Sequence, residues 1–366
     1  MVRKNLFNIE KYSLPQYKIE EIKQKRIEES GIKIDKTQVD GAKKSKESIE
    51  EICEKINAKL DELKEPTLIK NKDVISEISA SKLTTYRGCP FAYFLQYVMN
   101  LKPRKVPVNI KAGAAMHNVI ADFNRGNLST LEELIDGKEI VKNRKKSKIL
   151  GWKARWYRQV HSEDIYFDYK EQPYIIFNNG KKILEKFYEK EKDKPRTNLL
   201  IEYKFDVKIN LKGTTYRFVG VFDKVELNQD KIAIIDYKTG NPVSNITRDL
   251  SVQLTIYKLA FNALRDEGII KVPRSIEPAI ILYFLPLFAS NKDLEICEKP
   301  TGRDDIDVNY LITLIRDFGK SFVPFIASPQ FDHCKRCQWE LENFCHDILF
   351  YNKKEIYNKL MELKLS

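Results

Sequence analysis

Alternating apolar and polar positions predict three strands in close succession near the middle of the chain. They run from Leu199 to Ile209, from Tyr216 to Leu227 and from Lys231 to Tyr237. Short turn signals separate them, Lys212-Gly213 in the first gap and Asn228-Gln229-Asp230 in the second. Because such short connections join antiparallel neighbours, we predict an antiparallel meander.

Apolar residues at helical spacing occur on both sides of this meander. Before it, Ser81 is placed to cap a first helix, and a second helix is expected from Gly113 to Phe123. A long, mostly helical, basic stretch then continues to about Lys194. After the meander we expect a helix over Ser251–Arg265, a short strand over Ala279–Leu285 and a last helix over about Ile306–Phe325. This order predicts a mixed α/β (α+β) fold made of helix, three-stranded meander, helix and strand.

The charge pattern divides the chain into regions. Residues 1–78 are rich in Lys and Glu with thin apolar periodicity, and we expect a solvated helical extension that is partly disordered. The packed domain is expected over residues 79–350, with a helical insertion at about 125–195 and a cysteine-rich C-terminal segment. Residues 351–366 are expected to form a terminal helix or tail.

Composition narrows the class of protein. The 366 residues, 42% of them apolar, can bury at least one full core. A net charge of +12 favours polyanionic partners, either nucleic acid or an anionic membrane. No apolar run approaches the roughly 20 residues of a membrane helix, and the start lacks a signal-peptide pattern, so we expect a cytoplasmic protein, nucleoid association included, with no membrane partner. In that reducing setting the six cysteines are better explained as metal ligands or buried thiols than as disulfides.

Two carboxylates of the meander are candidates for a metal site. A tight turn between the second and third strands brings Asp223 and Asp236 together, and such oxygen ligands suit Mg²⁺ or Mn²⁺. Lys238 lies two residues past Asp236 and therefore points to the same face. The peptide carbonyl of Tyr237 could complete the metal shell, and Gly220 would let backbone or substrate approach closely. This set suits phosphodiester hydrolysis, which needs a deprotonated water and a cation near the phosphate.

Aspartate and lysine two residues apart also occur in ordinary salt-bridged hairpins, so the pair alone predicts little. Its neighbours add weight. Glu202 lies on the preceding strand, and Gln253 and Tyr257 lie one turn apart on the following helix.

With these neighbours the sequence resembles the RecB-like branch of the PD-(D/E)XK nucleases, which includes AddB-type nuclease domains and the CRISPR-associated iron–sulfur exonucleases. The resemblance runs from about Ser81 to Cys345 and implies a restriction-endonuclease-like core. Phe222 stands where the name-giving motif has its proline, a change common in this branch. The motifs that carry the resemblance are GAAMH (Gly113–His117), GVFD (Gly220–Asp223), IIDYKTG (Ile234–Gly240) and QLTIY (Gln253–Tyr257).

The resemblance implies a role for each residue of the set. Asp223 and Asp236 would bind the catalytic metal, His117 would add a ligand, and Lys238 would serve the attacking water. Gln253 and Tyr257 would steady Lys238 or a phosphate, and Glu202 would be a supporting carboxylate. Without the motifs, His117 would be better explained as a core histidine on an apolar helix.

The cysteines predict a second metal centre. Cys334 and Cys337 form a C-x2-C pair and Cys345 follows eight residues later, so a fourth ligand is needed. The resemblance implies a [4Fe–4S] cluster completed by Cys89, which would fasten the two ends of the domain. Zn²⁺ on the three C-terminal cysteines and either His333 or His346 is the alternative, and buried thiols without metal are a third.

A basic stretch with aromatic residues lies outside these motifs. Between Lys138 and Arg158 there are nine Lys or Arg residues and one acid, with Trp152 and Trp156 among them. The mixture suits single-stranded or frayed DNA, with cations on phosphates and aromatic rings on bases. Equally, two tryptophans four residues apart can pack a helix into the core while the lysines face water.

Together these features predict a Mg²⁺- or Mn²⁺-dependent deoxyribonuclease, expected to be an exonuclease in repair, recombination, phage replication or CRISPR adaptation. The alternative is a nucleic-acid-binding subunit of a larger helicase–nuclease complex, stabilised by zinc or an iron–sulfur cluster. The presence of Asp223, Asp236 and Lys238 favours the enzyme. No GxxxxGK[ST] motif occurs, so ATP-driven unwinding is expected to come from a helicase or other DNA-processing partner.

Overall fold

The computed structural model describes residues 48–63, 77–103, 105–142, 145–160, 165–167, 173–194, 197–228, 231–243, 246–289, 294–320, 337–339 and 345. The predicted tail of residues 351–366, most of the N-terminal extension and Cys334 lie outside this set. In chain order the helices are α1 (Ile49–Leu63), α2 (Ala80–Gly88), α3 (Pro90–Tyr93), α4 (Val108–Asn124), α5 (Leu131–Asp136), α6 (Trp152–Val160), α7 (Pro173–Glu191), α8 (Arg248–Asp266) and α9 (Asp305–Lys320), and a π-helical turn (Phe94–Val98) follows α3. The strands are β1 (Val106–Pro107), β2 (Lys138–Lys142), β3 (Lys145–Ile149), β4 (Ile165–Tyr166), β5 (Thr197–Leu211), β6 (Thr214–Asn228), β7 (Lys231–Lys238), β8 (Ala279–Phe284) and β9 (Cys297–Thr301).

A five-stranded sheet in the order β5-β6-β7-β8-β9 forms the centre of the fold. The first three strands pair antiparallel, which confirms the predicted meander. β8 runs parallel to β7. This is possible because α8 lies between them in the chain and carries the backbone back to the end of the sheet where β7 begins. β9, antiparallel to β8, was not predicted, since its sequence CEKPT lacks apolar alternation and contains a proline that suits an edge strand.

Two apolar clusters lie on opposite faces of this sheet. Along β7, Ile234 belongs to the first cluster and Ile235 to the second, and along β8 Leu282 and Tyr283 divide in the same way. Because neighbouring strand residues point to opposite faces, each cluster occupies one face. Residues of α8 fill the first cluster, and residues of α4 and α7 fill the second. The arrangement confirms the predicted mixed fold.

The expectation of a solvated N-terminal segment does not hold for residues 49–63. Helix α1 buries Ile52, Cys53 and Ile56 in the first cluster. These three residues recur at helical spacing among charged neighbours, so the apolar face of α1 is narrow. The charge-rich composition of the segment therefore predicted a solvated helix. The packing also extends before the predicted domain start at residue 79, because Ile78 is buried against β6. Ser79 caps α2 in place of the predicted Ser81.

The region 125–195 is less helical than predicted. β2 and β3 form an antiparallel hairpin, with Lys142 opposite Lys145 at its described end. At its base Gly137 has a φ of 84°, and a Cβ there would meet the carbonyl oxygen of Ile149 at 2.3 Å. The lysine-rich strands carry no clear apolar alternation, the pattern that predicts a strand, and Gly137 permits the close approach at the base of the hairpin.

None of the described helices combines the length and apolar character needed to cross a bilayer.

Candidate active site

β6 and β7 separate at the point where the two predicted aspartates lie. Their ladder ends with Lys224 opposite Ile235, so Asp223 and Asp236 occupy the next positions outward without pairing. The side chain of Asp223 replaces the missing ladder bond, because its Oδ2 accepts a hydrogen bond from the backbone N–H of Tyr237 at 2.8 Å. The fork between the strands thereby brings both carboxylates to one end of the sheet.

On one side of the fork four residues, Asp236, Lys238, Gln253 and Tyr257, form a continuous polar network that we call the lysine side. The Lys238 ammonium lies 2.7 Å from Asp236 Oδ2 and donates to Gln253 Oε1 at 2.9 Å. Gln253 Nε2 in turn lies 3.2 Å from Asp236 Oδ1 and 2.9 Å from the Tyr257 hydroxyl. The structure therefore places Asp236 and Lys238 on one face, as their spacing predicted, with Gln253 and Tyr257 beside them.

Burial determines the electrostatics of the lysine side. It raises the pKa of Asp236 to about 6, with the Lys238 charge opposing the shift and Asp223 adding to it. Burial also raises the pKa of Tyr257 well above its ordinary value, and the charges of Asp236 and Asp223 act in the same direction. The Lys238 ion pair offsets the cost of keeping Asp236 ionised at this depth.

The other side of the fork holds three candidate ligands, His117, Glu202 and Asp223, which we call the histidine side. Each offers one ligand atom, and these atoms all lie within 4.8 Å of one another. His117 Nδ1 is 3.6 Å from Asp223 Oδ2. One imidazole and two carboxylates fit a divalent cation by donor chemistry, and Mg²⁺ and Mn²⁺ suit the oxygen-rich part of the set. Among the described residues this is the one group of three or more such side chains that the geometry gathers.

Glu202 reaches this group through a local distortion of β5. The pairing of β5 with β6 is interrupted where Glu202 lies opposite Asp223, and Glu202 has a φ of 47° in the left-handed region. A non-glycine residue with such a φ costs on the order of 1–3 kcal/mol, and such residues concentrate at functional sites. Burial and the Asp223 charge raise the pKa of Glu202. Strain and charge repulsion are therefore both present where a cation would relieve the repulsion.

His117 sits between opposing influences. Burial lowers its pKa, but its contact with Asp223 and the charges of Asp236 and Glu202 raise the pKa above the ordinary value. The ring packs edge-on against Tyr237 with centroids 6.1 Å apart. His117 is thus a partly exposed residue facing three carboxylates, in contrast to the alternative of a core histidine.

Two glycines of the motifs bring elements close together. A Cβ on Gly113 would meet Thr239 Oγ1 at 2.9 Å, so Gly113 lets α4 approach the end of β7. A Cβ on Gly220 would meet the Phe205 ring at 2.4 Å. The expectation that backbone or substrate approaches Gly220 is corrected here, because the space belongs to the packed ring of Phe205. The role of the Tyr237 carbonyl in a metal shell stays a prediction.

Three of the four predicted cluster cysteines are described. Cys89 is buried between α2 and α3, within the first apolar cluster, and Cys337 and Cys345 pack against the same cluster. Gln338 Nε2 donates to Gln96 Oε1 at 3.4 Å, which places the C-terminal segment beside the turn that follows Cys89. The described cysteines form no disulfide with one another. The thiol chemistry and the joining of distant segments fit a metal clip, and Cys334 lies outside the described residues.

The two tryptophans of the basic stretch belong to the core. Trp152 is fully buried, donates its indole N–H to the Phe177 carbonyl at 3.0 Å and stacks on Trp156. A Cβ on Gly180 would overlap the Trp152 ring at 2.3 Å, so this packing depends on the glycine. Stacking of DNA bases on these rings is therefore ruled out in this structure, whereas Lys146 and Lys148 of the hairpin are exposed.

One cation near the site was missed in the sequence. Arg125 follows the last turn of α4 and donates to the carbonyl of Ile201 at 3.4 Å, one residue before Glu202. Arg125 follows His117 by about two helical turns, so both can lie on the same side of α4. This spacing indicates proximity to the site only once the helix direction relative to the sheet is known.

Residues 77–345 match the family model described as the PD-(D/E)XK nuclease superfamily. The B subunit of the ATP-dependent helicase/deoxyribonuclease of Clostridium tetani is 30% identical over 246 residues, which are 59% of this chain and 20% of that protein. The protein of the same name from Clostridium perfringens is 29% identical over 255 residues, 61% of this chain and 21% of its own length. The chain thus spans about a fifth of the length of these relatives. A solved structure from Eubacterium rectale, provisionally described as an exonuclease, covers 69% of this chain and 85% of its own at 10% identity and a TM-score of 0.37, too distant to bear on the site.

Proposed function

The chain belongs to the PD-(D/E)XK nuclease superfamily, and from that premise we propose that it is a divalent-metal-dependent deoxyribonuclease that trims DNA ends. The observation that carries the proposal is the fork between β6 and β7, with three candidate ligands on its histidine side and a paired lysine on its lysine side. The names of the relatives, which include the word deoxyribonuclease, support DNA as the substrate.

His117, Glu202, Asp223 and Asp236 would hold Mg²⁺ or Mn²⁺, with the Tyr237 carbonyl as a further ligand. When bound, such a cation lowers the pKa of a coordinated water and stabilises negative charge on the phosphate. Hydrolysis adds the water oxygen to phosphorus, breaks one phosphorus–oxygen bond and leaves the departing oxygen to take a proton.

The lysine side would orient the attacking water. Lys238 is held between Asp236 and Gln253 by contacts of 2.7 and 2.9 Å, so its ammonium has a defined direction before substrate arrives. From there it can hold the water or screen the charge that builds on the phosphate. Tyr257 would act through Gln253, since its hydroxyl accepts from the Gln253 amide.

Cleavage of end-labelled DNA tests the proposal. Wild type and Asp236→Ala are incubated with single- and double-stranded DNA, with and without Mn²⁺. We expect the wild type to shorten the DNA only with the metal and the variant to be inactive. Single-nucleotide ladders would support the exonuclease assignment and reveal the direction of digestion. Equal cleavage by both proteins would end the catalytic proposal and favour the alternative, a nucleic-acid-binding subunit.

We further propose a [4Fe–4S] cluster on Cys89, Cys334, Cys337 and Cys345. It would join the turn before α3 to the C-terminal segment and act on stability alone. Anaerobically purified protein should be brown with visible absorbance, and Cys337→Ser should lose both. Stoichiometric zinc without iron would reject the assignment in favour of the zinc alternative.

The relatives' names support a helicase partner, since each is called a subunit of an ATP-dependent helicase/deoxyribonuclease. The partner would supply single-stranded ends to this chain, in repair, recombination or another DNA-processing pathway. Co-purification with a helicase, and a DNA end degraded faster in its presence with ATP, would test this.

A further inference from the structure

Two arginines, Arg125 and Arg155, contact a single carboxylate near the end of α4, and a third arginine lies on the next turn of α6. The carboxylate of Asp122, on α4, accepts a hydrogen bond from Arg155 Nη2. It accepts another from the Asn127 side-chain amide at 2.9 Å. Arg125 Nη1 lies 3.8 Å from the same carboxylate. Arg158 lies one turn after Arg155 on α6, and its charge acts on Arg155. Two positive charges thus share the Asp122 carboxylate, and the Arg158 charge adds to them through its effect on Arg155.

The three guanidinium groups differ in how firmly they are held. Arg155 is half-buried, bonds Asp122 and also donates its Nε to the Leu150 carbonyl at 2.7 Å. Arg125 is 41% exposed, and it makes a long ion pair with Asp122 and a 3.4 Å bond to the Ile201 carbonyl. Arg158 is exposed. Arg155 is therefore the most firmly held of the three, and the side chains of Arg125 and Arg158 are open to solvent.

Like charge makes the group costly without an anion. Burial lowers the pKa of Arg155, and the charges of Arg158 and Arg125 lower it further, while only Asp122 opposes them. The exposed Arg217, by contrast, has a carboxylate of its own in Asp206, which it meets with two bonds of 2.7 and 2.6 Å. Arg125 and Arg158 would gain from a group that brings negative charge and acceptor oxygens.

Position identifies the anion. The Arg125 guanidinium contacts the residue before Glu202, and its charge lowers the pKa of Glu202 in opposition to burial. A DNA strand with one phosphate at the metal centre would bring its neighbouring phosphate past this point. Guanidinium groups bind phosphate with two parallel bonds in a geometry that lysine does not match.

Resting on the proposed function, we propose that Arg125 and Arg158 bind the DNA backbone phosphate adjacent to the one that is cleaved, and that Arg155 and Asp122 position them. The two exposed arginines would thereby set the register of the strand on the metal centre. Arg155 and Asp122 are positioning residues, since they act through the other two.

The test is DNA binding without metal, so that no cleavage interferes. A fluorescein-labelled single-stranded oligonucleotide is titrated in EDTA at several NaCl concentrations with wild type, Arg125→Gln and Arg158→Gln, and anisotropy is read. Each lost phosphate contact should reduce the magnitude of the slope of log K against log salt by about 0.7. The variant's loss of affinity relative to wild type should therefore be about fivefold larger at 0.1 M salt than at 1 M salt. Arg125→Lys should recover the slope, because it restores the charge.

Lys186→Gln is the matched control. Lys186 is also 41% exposed, lies on α7 beside Glu295, and its replacement removes the same single charge. Thermal melting should give equal stability for the three Gln variants. If Arg125→Gln and Arg158→Gln show the same slope as Lys186→Gln, the arginine site is wrong.

Cleavage assays separate this outcome from failure of the proposed function. A wild type that cleaves DNA while both arginine variants bind like the control would leave the nuclease intact and reject the arginine site. An inactive wild type whose slope still depends on Arg125 and Arg158 would retain the site as a phosphate-binding surface and reject catalysis.

Discussion

The two sides of the candidate site flank the same fork between β6 and β7, but their polar groups are satisfied to different degrees. On the lysine side every polar group meets another, with Lys238, Gln253 and Asp236 in mutual contact at 2.7–3.2 Å. On the histidine side the His117–Asp223 contact is 3.6 Å, and Glu202 holds a strained backbone conformation. The side chains of the lysine side are already joined by direct contacts, whereas the histidine side has the charge and spacing that a cation would complete.

This difference separates positioning from binding. A network that is complete before the ligand arrives loses little order during the reaction and suits the orientation of a water. A set of repelling carboxylates suits the capture of a cation, because the cation attracts each carboxylate and relieves the repulsion between them. Substitutions on each side can show whether damage to one leaves the other intact.

Asp223 should show the largest effect, because it belongs to the histidine side and also bonds the Tyr237 N–H of the strand that carries the lysine side. Asp223→Ala should reduce kcat/KM by at least about 10³-fold, as expected when a principal electrostatic contact is lost. Asp223→Asn keeps an acceptor for the N–H but loses the charge, so it should be similarly inactive. Denaturant unfolding should show Asn more stable than Ala by about 1 kcal/mol. Activity in Asp223→Asn near the wild-type level would show that the charge is dispensable.

Glu202→Gln should impair only the histidine side and Gln253→Ala only the lysine side. Each should lower the cleavage rate at low Mn²⁺ by roughly 10–100-fold, as for residues that tune or orient a ligand. Glu202→Gln should raise the Mn²⁺ concentration at half-maximal rate and recover at saturation. Gln253→Ala should lower kcat at every metal concentration, because Lys238 loses the acceptor that directs it. Metal titrations of both variants give the contrast. The same response from both would mean that the two sides do not act separately.

Gly113→Ala should act on the histidine side through distance alone. The added Cβ would meet Thr239 Oγ1 at 2.9 Å, so α4 and His117 must move by a few tenths of an ångström or Thr239 must rotate. We expect about a tenfold loss of kcat/KM with a higher Mn²⁺ requirement. Gly240→Ala is the control, because a Cβ there meets nothing within 4 Å. An unchanged rate for Gly113→Ala would mean that Thr239 yields and the approach of α4 is not critical.

The parts of the site that follow from local pattern were predictable from the sequence. The meander appears as predicted, and the helix that carries His117 is present but begins at Val108, before the predicted Gly113. Asp236 and Lys238 share a face because strand residues two apart point the same way. Gln253 and Tyr257 lie together because they are one helical turn apart.

The parts that depend on tertiary contact were not predictable. The left-handed φ of Glu202 arises at a local interruption in the pairing of β5 with β6, and no residue preference signals it. Whether Trp152 and Trp156 face DNA or the core depended on the position of Gly180 on another helix. The burial of α1 likewise needed the first cluster to be present. Local rules give elements and faces, and packing between distant segments decides which faces meet.

Tyr257→Phe should produce the smallest loss of activity among these variants. It tests whether the lysine side ends at Tyr257. The ring packs beside Phe222 and Phe205 with centroids 5.2 and 6.1 Å away, and phenylalanine keeps these contacts. Only the hydroxyl that accepts from Gln253 is lost, while the Gln253 amide retains Asp236 at 3.2 Å. A net hydrogen bond of about 1 kcal/mol corresponds to roughly a fivefold lower kcat.

The Mn²⁺ requirement of Tyr257→Phe should equal that of the wild type, because no ligand of the histidine side contacts the hydroxyl among the described residues. Tyr257→Leu is the companion variant, and it should lose stability as well, since it removes the buried ring. A hundredfold loss in Tyr257→Phe with unchanged stability would place the hydroxyl in contact with the reacting groups. Tyr257 would then be a catalytic residue, and the lysine side would extend to the substrate itself instead of ending at a support for Gln253.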